Sequence, residues 1–210
     1  MITVSLAPYG SRKLLLFIAA VISLTAAAAS CFAGSSFSTV NNTPYDGQMT
    51  RIQRVLCAST HGAKQEVSLS LVNHWIENLR AIPYGFSKEW KTPAEVESGA
   101  AADCKGKAVA LYNLMHARGA DNVRLVIGKR TWMSQKTHVW LEWTTATETY
   151  VLDPTINWSA LRAEHLNGSS YIPFYAYAGD RKYRAAKGTT FAQNNWDAQR
   201  LAVASAPAAR

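Results

Sequence analysis

Apolar residues recur along the chain with two different periods, and the period changes where the elements change. In "EVSLSLVNHWIENLR" (66–80), Val67, Leu71, Trp75 and Leu79 stand four residues apart, which is one face of a helix. "AIPYGFSKEWKTPAEVESG" (81–99) breaks that spacing with Pro83, Gly85 and Pro93. It reads as a long loop, and loops of that length inside a compact domain often carry function. From 103 the helical spacing returns. Asp103 is a good N-cap, Ala108, Leu111, Leu114 and Met115 form the apolar face, and Gly119 suits the stop. Beyond it the pattern is that of strands. "NVRLVIGKRT" (122–131) predicts one strand and "THVWLEWTTATETYVLDPT" (137–155) predicts two with a turn between. "YIPFYAYAG" (171–179) predicts another, weakened by Pro173. Helices followed by several mostly antiparallel strands predict an α+β domain, with the 103–118 helix packed on a sheet.

The two ends of the chain depart from this pattern. Arg12 and Lys13 precede the apolar run "LLLFIAAVISL" (14–24), followed by "TAAAAS" and Cys31. A short basic region, a short apolar core and small residues predict a secretory signal over 1–33. An uncut membrane anchor is the competing reading, and the run is short for a span. "AAS" before Cys31 loosely resembles a lipoprotein signal, with Ala28 where leucine is usual, so Cys31 is a candidate membrane tether. Residues 34–50 are polar and turn-rich and read as a loose lead-in. The domain is expected over 51–185, with a C-terminal tail over 186–210.

With 210 residues and 48% hydrophobic side chains, the chain suits one domain with its own core. Its formal charge is +8, or +6 once the signal segment is set aside, which favours an acidic partner or surface. The dense basic cluster "RKYRAAK" (181–187) reads as a solvated face and not a nucleic-acid stripe. No Cys-x-x-Cys, His-Glu-x-x-His or glycine-rich phosphate loop supports zinc or nucleotide chemistry. Beyond Cys31, the cysteines are Cys57 and Cys104. In an oxidising compartment they are a candidate disulfide, and Cys57 in "RVLCAST" suits a small buried residue.

Cys104 follows the predicted N-cap, so it opens the helix. Free N–H groups and the helix dipole there favour a thiolate. Lys105 and Lys107 read as solvated first-turn residues. If the 137–155 hairpin turns on Thr145 and Ala146, Val139 faces Leu152 and Leu141 faces Tyr150 on an apolar side. His138 then lies opposite Asp153, and Trp140 opposite Val151, with opposed Cβ atoms about 4.5–5.5 Å apart. A shift of two residues makes the His138–Asp153 pair diagonal, and a shift of one parts it. Each residue alone has a plainer reading: a packed cysteine, a core histidine, and an aspartate ending a strand in an Asx turn. Together they have the make-up of a thiol catalytic triad, with Cys104 as nucleophile, His138 as base and Asp153 as its orienting partner. The Cys104 backbone N–H, Trp90 and Trp140 are candidates for oxyanion or substrate contacts.

"WKTPAEVESGAAADCKGKAVALYNLMHARG", "THVWLEW" and "YVLDPT" together resemble the motif blocks of bacterial transglutaminase-like cysteine proteinases. The likeness extends over about residues 50 to 180. It implies a papain-like/transglutaminase-like core, the same Cys104, His138 and Asp153 roles, and an exported, periplasmic or secreted peptidase acting on protein or peptide. In the family's adhesin-releasing members, acids flanking the cysteine contribute to a calcium site. Asp103 matches one of these, but Lys105 replaces the next, and an ammonium repels calcium. The expectation is therefore a monomeric cysteine hydrolase without cofactor or nucleic acid. Acyl transfer to an amine and a non-catalytic envelope-binding domain are the alternatives.

Overall fold

The computed structural model describes residues 35–58 and 66–186. The predicted signal segment, Cys31 and the tail beyond Ala186 lie outside the described residues. Among those described, no helix is long and apolar enough to cross a membrane.

Seven strands form one sheet: β1 (Phe37–Val40), β2 (Val123–Thr131), β3 (His138–Thr144), β4 (Thr149–Leu152), β5 (Leu161–Arg162), β6 (Ser170–Ala178) and β7 (Arg181–Ala185). Their spatial order is β1-β7-β6-β2-β3-β4-β5, and every neighbouring pair is antiparallel. The helices are α1 (Asp46–Met49), α2 (Gln53–Leu56), α3 (Leu69–Ala81), α4 (Pro93–Ser98) and α5 (Cys104–Ala117). The α+β architecture agrees with the expectation from the sequence.

Helix α5 is the axis of the larger core. Its Leu111 and Met115 belong to one buried cluster with Val72 and Ile76 of α3 and with Leu125, Ile127, Val139 and Leu141 of the sheet, and α5 touches α3, β2 and β3. Because α3, α4 and the sheet all press on it, α5 is buried nearly all round. It ends as its sequence requires. Gly119 adopts φ 83°, and the N–H groups of Gly119 and Ala120 return to the His116 and Met115 carbonyls.

The sheet's other face carries a smaller core of Val126, Trp140, Val151, Tyr171 and Ala176. Strands β3 and β4 are thus covered on both faces, which explains why they read as almost continuously apolar.

Four sequence expectations need correction. Residues 37–49, read as a loose lead-in, form the edge strand β1 and helix α1. The basic cluster at 181–187 supplies β7, which pairs with both β6 and β1 and is more than a solvated face. Within the 81–99 loop lies α4, opened by a reciprocal cap in which Glu95 Oε2 accepts from the Thr92 N–H at 2.8 Å and hydroxyl at 2.9 Å. Finally, the β3–β4 register is two residues away from the symmetric guess: Leu141 faces Leu152 and Trp143 faces Tyr150. Thr145 closes the turn, accepting from the Glu148 N–H at 3.0 Å while its own N–H reaches the Glu148 carbonyl at 2.8 Å. That places Ala146 and Thr147 at the tip. A shift of two preserves the facing of every side chain.

Pro173 sits in the interior strand β6, where a missing N–H would ordinarily break a ladder. It is tolerated at an irregularity, because the β2–β6 register slips between Ile127 and Gly128. Gly128 is required there. A Cβ at that position would stand 2.0 Å from the Ile172 carbonyl oxygen and 2.6 Å from the Trp140 ring. This close approach brings the start of β6 near the start of β3.

Candidate active site

Asp103 caps α5 as expected, its Oδ1 accepting from the Gly106 N–H at 3.1 Å. Cys104 is the first residue of the helix and is buried. Its backbone N–H belongs to the first turn, where helix geometry supplies no internal acceptor. The thiol lines the same cleft as the His138 imidazole and acts on its charge. Neither Cys104 nor Cys57 is in a disulfide. Cys57 is exposed and accepts from Gln53 Nε2 at 3.0 Å, contrary to its expected burial.

His138 opens β3, and its Nε2 meets Asp153 Oδ2 at 2.7 Å. The pair is diagonal on the sheet, since Asp153 follows the last residue of β4 under the observed register. With Nε2 engaged, Nδ1 is the ring nitrogen left for the thiol. Burial alone would favour a neutral ring. The Asp153 carboxylate, which accepts from the ring and carries the opposite charge, and the neighbouring Cys104 thiol outweigh it and push the His138 pKa up to about 9.

Asp153 is fully buried and accepts three hydrogen bonds. Besides His138, the Tyr171 hydroxyl donates to Oδ2 at 2.9 Å and the Thr155 N–H to Oδ1 at 3.0 Å. The Thr155 bond is the Asx turn that the plainer reading expected, so one carboxylate ends the strand and holds the histidine together. Tyr171 in turn accepts from Asn157 Nδ2 at 2.7 Å. Its backbone is left-handed, with φ 53°, a region costly for a bulky side chain. Its hydroxyl is pushed well above the ordinary tyrosine range by burial and by the Asp153 charge, so it stays a donor. Sequence reading missed Tyr171 and Asn157. Tyr171 looks like any strand aromatic, and its role depends on the Gly128 slip, which leaves no trace in strand periodicity.

Other expectations change on inspection. Trp140 is fully buried, stacks on His138 with centroids 6.2 Å apart, and presents its ring edge-on to Tyr171. It underpins the histidine and has no face for a substrate. Trp90 does line the cleft beside Cys104, but its indole N–H is spent on Gln48 Oε1 at 3.0 Å. Gln48, also unnoticed in the sequence, lines the same cleft. With its oxygen fixed by Trp90, its amide nitrogen is the remaining donor end. Lys105 and Lys107 are not solvated. The Lys105 ammonium bonds Asp103 Oδ2 and the Ser87 carbonyl. Lys107 is buried against the Arg80 and Ile82 carbonyls at the end of α3, and burial lowers its pKa.

The cleft containing Cys104 and His138 has a volume of about 830 Å³. Tyr84 and Phe86 from the 82–92 loop line it on one side, and Arg130 and residues 134–137 on the other.

No protein-family model matches the chain, and no curated protein matches its sequence. Solved structures do. A structure of Legionella pneumophila LapG matches with TM-score 0.50 at 17% identity, over 75% of this chain and 86% of that one. Calcium-bound LapG from the same organism gives 0.49 at 15% identity, over 68% and 81%. The EGTA-treated form gives 0.48 at 17%, over 75% and 88%. At such identity a likeness speaks for the fold: the chain has the α+β fold of LapG, a transglutaminase-like cysteine protease.

Proposed function

We propose that this protein is an exported cysteine hydrolase, a peptidase, in which Cys104 is the nucleophile, His138 the general base and acid, and Asp153 its orienting partner. The observation that carries the reading is the His138–Asp153 pair, Nε2 to Oδ2 at 2.7 Å, set in the same cleft as Cys104 at the start of α5.

The chemistry follows from that arrangement. An imidazolium stabilised on one side by Asp153 leaves the thiolate as the natural partner on the other. The thiolate attacks a peptide carbonyl, and the oxyanion is met by the Cys104 backbone N–H and the Gln48 amide. His138 then gives its proton to the leaving amine as the C–N bond breaks, which leaves a thioester on Cys104. Water loses a proton to His138 and attacks that thioester. The C–S bond breaks, the acid product departs and the thiolate–imidazolium pair is restored. An amine in place of water would give acyl transfer with the same residues. The protein substrate and the export reading rest on the fold and on the basic, apolar and small-residue order of 1–33.

Calcium, named for one LapG structure, fits these residues poorly. The Asp103 carboxylate is already engaged by the Lys105 ammonium and by the Gly106 and Ser87 N–H groups. Among the described residues no three acidic, histidine or cysteine side chains converge as a metal site.

The test is alkylation of Cys104 by iodoacetamide across pH, read by mass spectrometry, beside hydrolysis of an unfolded reporter protein. The expected result is rapid labelling well below the ordinary thiol value of about 8.5. Turnover should vanish in Cys104→Ala while near-UV circular dichroism is unchanged. Labelling that rises only above that pH, or full turnover in the variant, would end the proposal.

A further inference from the structure

The lining of the Cys104 cleft has an unbalanced charge. Its acid is Asp103, buried and taken up by Lys105 and two backbone N–H groups. Its remaining cations are Arg130 and the exposed Lys136. The Arg130 guanidinium lies over the Tyr171 ring, 4.3 Å from its centre. Its Nε is nevertheless buried without a hydrogen-bond partner. A buried donor left unmet is costly, and a guanidinium presents a planar fork matched to a carboxylate. On the other wall Tyr84 is 61% and Phe86 75% exposed, large apolar surfaces open to solvent, with the Lys105 ammonium 5.0 Å from the centre of the Phe86 ring.

Resting on the hydrolase reading above, we infer that the cleft selects an extended polypeptide segment with a carboxylate side chain beside apolar ones. Arg130 receives the carboxylate, Lys136 adds field at the rim, and Tyr84 and Phe86 take the apolar neighbours. Arg130 shares the Tyr171 ring with the Asp153 network, so the carboxylate is received next to the reacting centre and selection acts close to the scissile bond. The net positive charge of the chain works in the same direction by steering acidic segments toward the cleft.

The test uses the mature protein carrying Cys104→Ala, so that binding is read without turnover. Three fluorescein-labelled peptides of one apolar sequence carry glutamate, glutamine or lysine at a single position, and anisotropy gives Kd. The expected result is at least tenfold tighter binding of the glutamate peptide than the glutamine one, and weakest binding of the lysine peptide. The preference should shrink as salt rises. Arg130→Gln should abolish it. Lys136→Glu, an exposed change that spares the fold, should reduce it severalfold. Phe86→Ala should weaken all three peptides alike. Equal binding of the three peptides, or an undiminished preference in both charge variants, overturns the inference. Acid preference without turnover in the wild type would keep this inference and sink the hydrolase reading. Turnover with no acid preference would do the reverse.

Discussion

Strand β3 carries two ionisable groups on one face, the half-buried His138 at its start and the buried Glu142 near its end, and each meets a carboxylate problem solved differently. At the start, Asp153 has no exposed surface but accepts from an imidazole, a phenol and a backbone N–H. At the other end, Glu142 is equally hidden and has the Ser35 hydroxyl at 2.7 Å. Arg124 stands directly opposite Glu142 on β2, yet its guanidinium lies over the Phe37 and Tyr183 rings, 5.4 Å from each centroid. Burial therefore wins at Glu142 and pushes its pKa up to about 7, against weaker help from Ser35, Arg124 and the Trp140 indole. The two ends of β3 thus adjoin one carboxylate surrounded by donors, Asp153 just past β4, suited to keeping a neighbouring cation, and one poorly supported, Glu142, suited to taking up a proton. The number of donors, more than depth, separates them.

The largest expected effect breaks the supported end. Asp153→Asn keeps the shape but removes the charge that holds His138 as an imidazolium. We expect kcat to fall by about a hundredfold or more. The alkaline limb of the pH–rate profile, expected near the His138 value of about 9, should move to lower pH, because the ring loses its stabilising anion. Steady-state kinetics between pH 5 and 10 would check both. An alkaline limb left in place would show that Asp153 does not act through His138.

A smaller effect is expected one bond further out. Tyr171→Phe keeps the ring that packs between Trp140 and Arg130 and removes only the hydroxyl from Asp153. We expect a loss of about tenfold in kcat with KM little changed, the size of one hydrogen bond to a charged group. The alkaline limb should move to slightly higher pH, since the Asp153 carboxylate, with one donor fewer, holds the His138 imidazolium more tightly. Unaltered pH limbs with reduced thermal stability would make Tyr171 a packing residue and nothing more.

The contrast also marks what could be seen in the sequence. Cys104 after Asp103 was legible because capping is local: an N-cap and the residue after it need no distant partner. The sharing of a face by His138 and Asp153 was legible because strand parity survives a register slip of two, and the slip itself came from Thr145 side-chain bonds that periodicity does not report. Tyr171 was not legible. Its reach depends on Gly128 letting β6 slip against β2, a long-range steric fact. Nor was β1, whose four residues gain their order from pairing with β7, far along the chain. Trp90 and Trp140 were chosen for their type, and tertiary packing sent one to orient Gln48 and the other beneath the histidine.

The last effect sharpens the unsupported end and is read in stability, with no change in turnover expected. The Glu142 value is raised from 4.5 to about 7, so in this interval the folded state binds more protons than the unfolded one. Stability must then fall as pH rises through that window, by up to about 3 kcal/mol if the full shift is realised. Glu142→Gln keeps an acceptor for Ser35 and has no charge to bury, so its stability should be flat between pH 4.5 and 7 as far as this site is concerned. What remains in the variant is a decline above 6.5. His138, raised from 6.5 to about 9, stabilises the fold fully below the lower value and loses that contribution as pH passes the upper one. Urea denaturation of both proteins at four pH values would separate the windows, and parallel curves from pH 4.5 to 7 would show that Glu142 finds a partner good enough to keep it ionised.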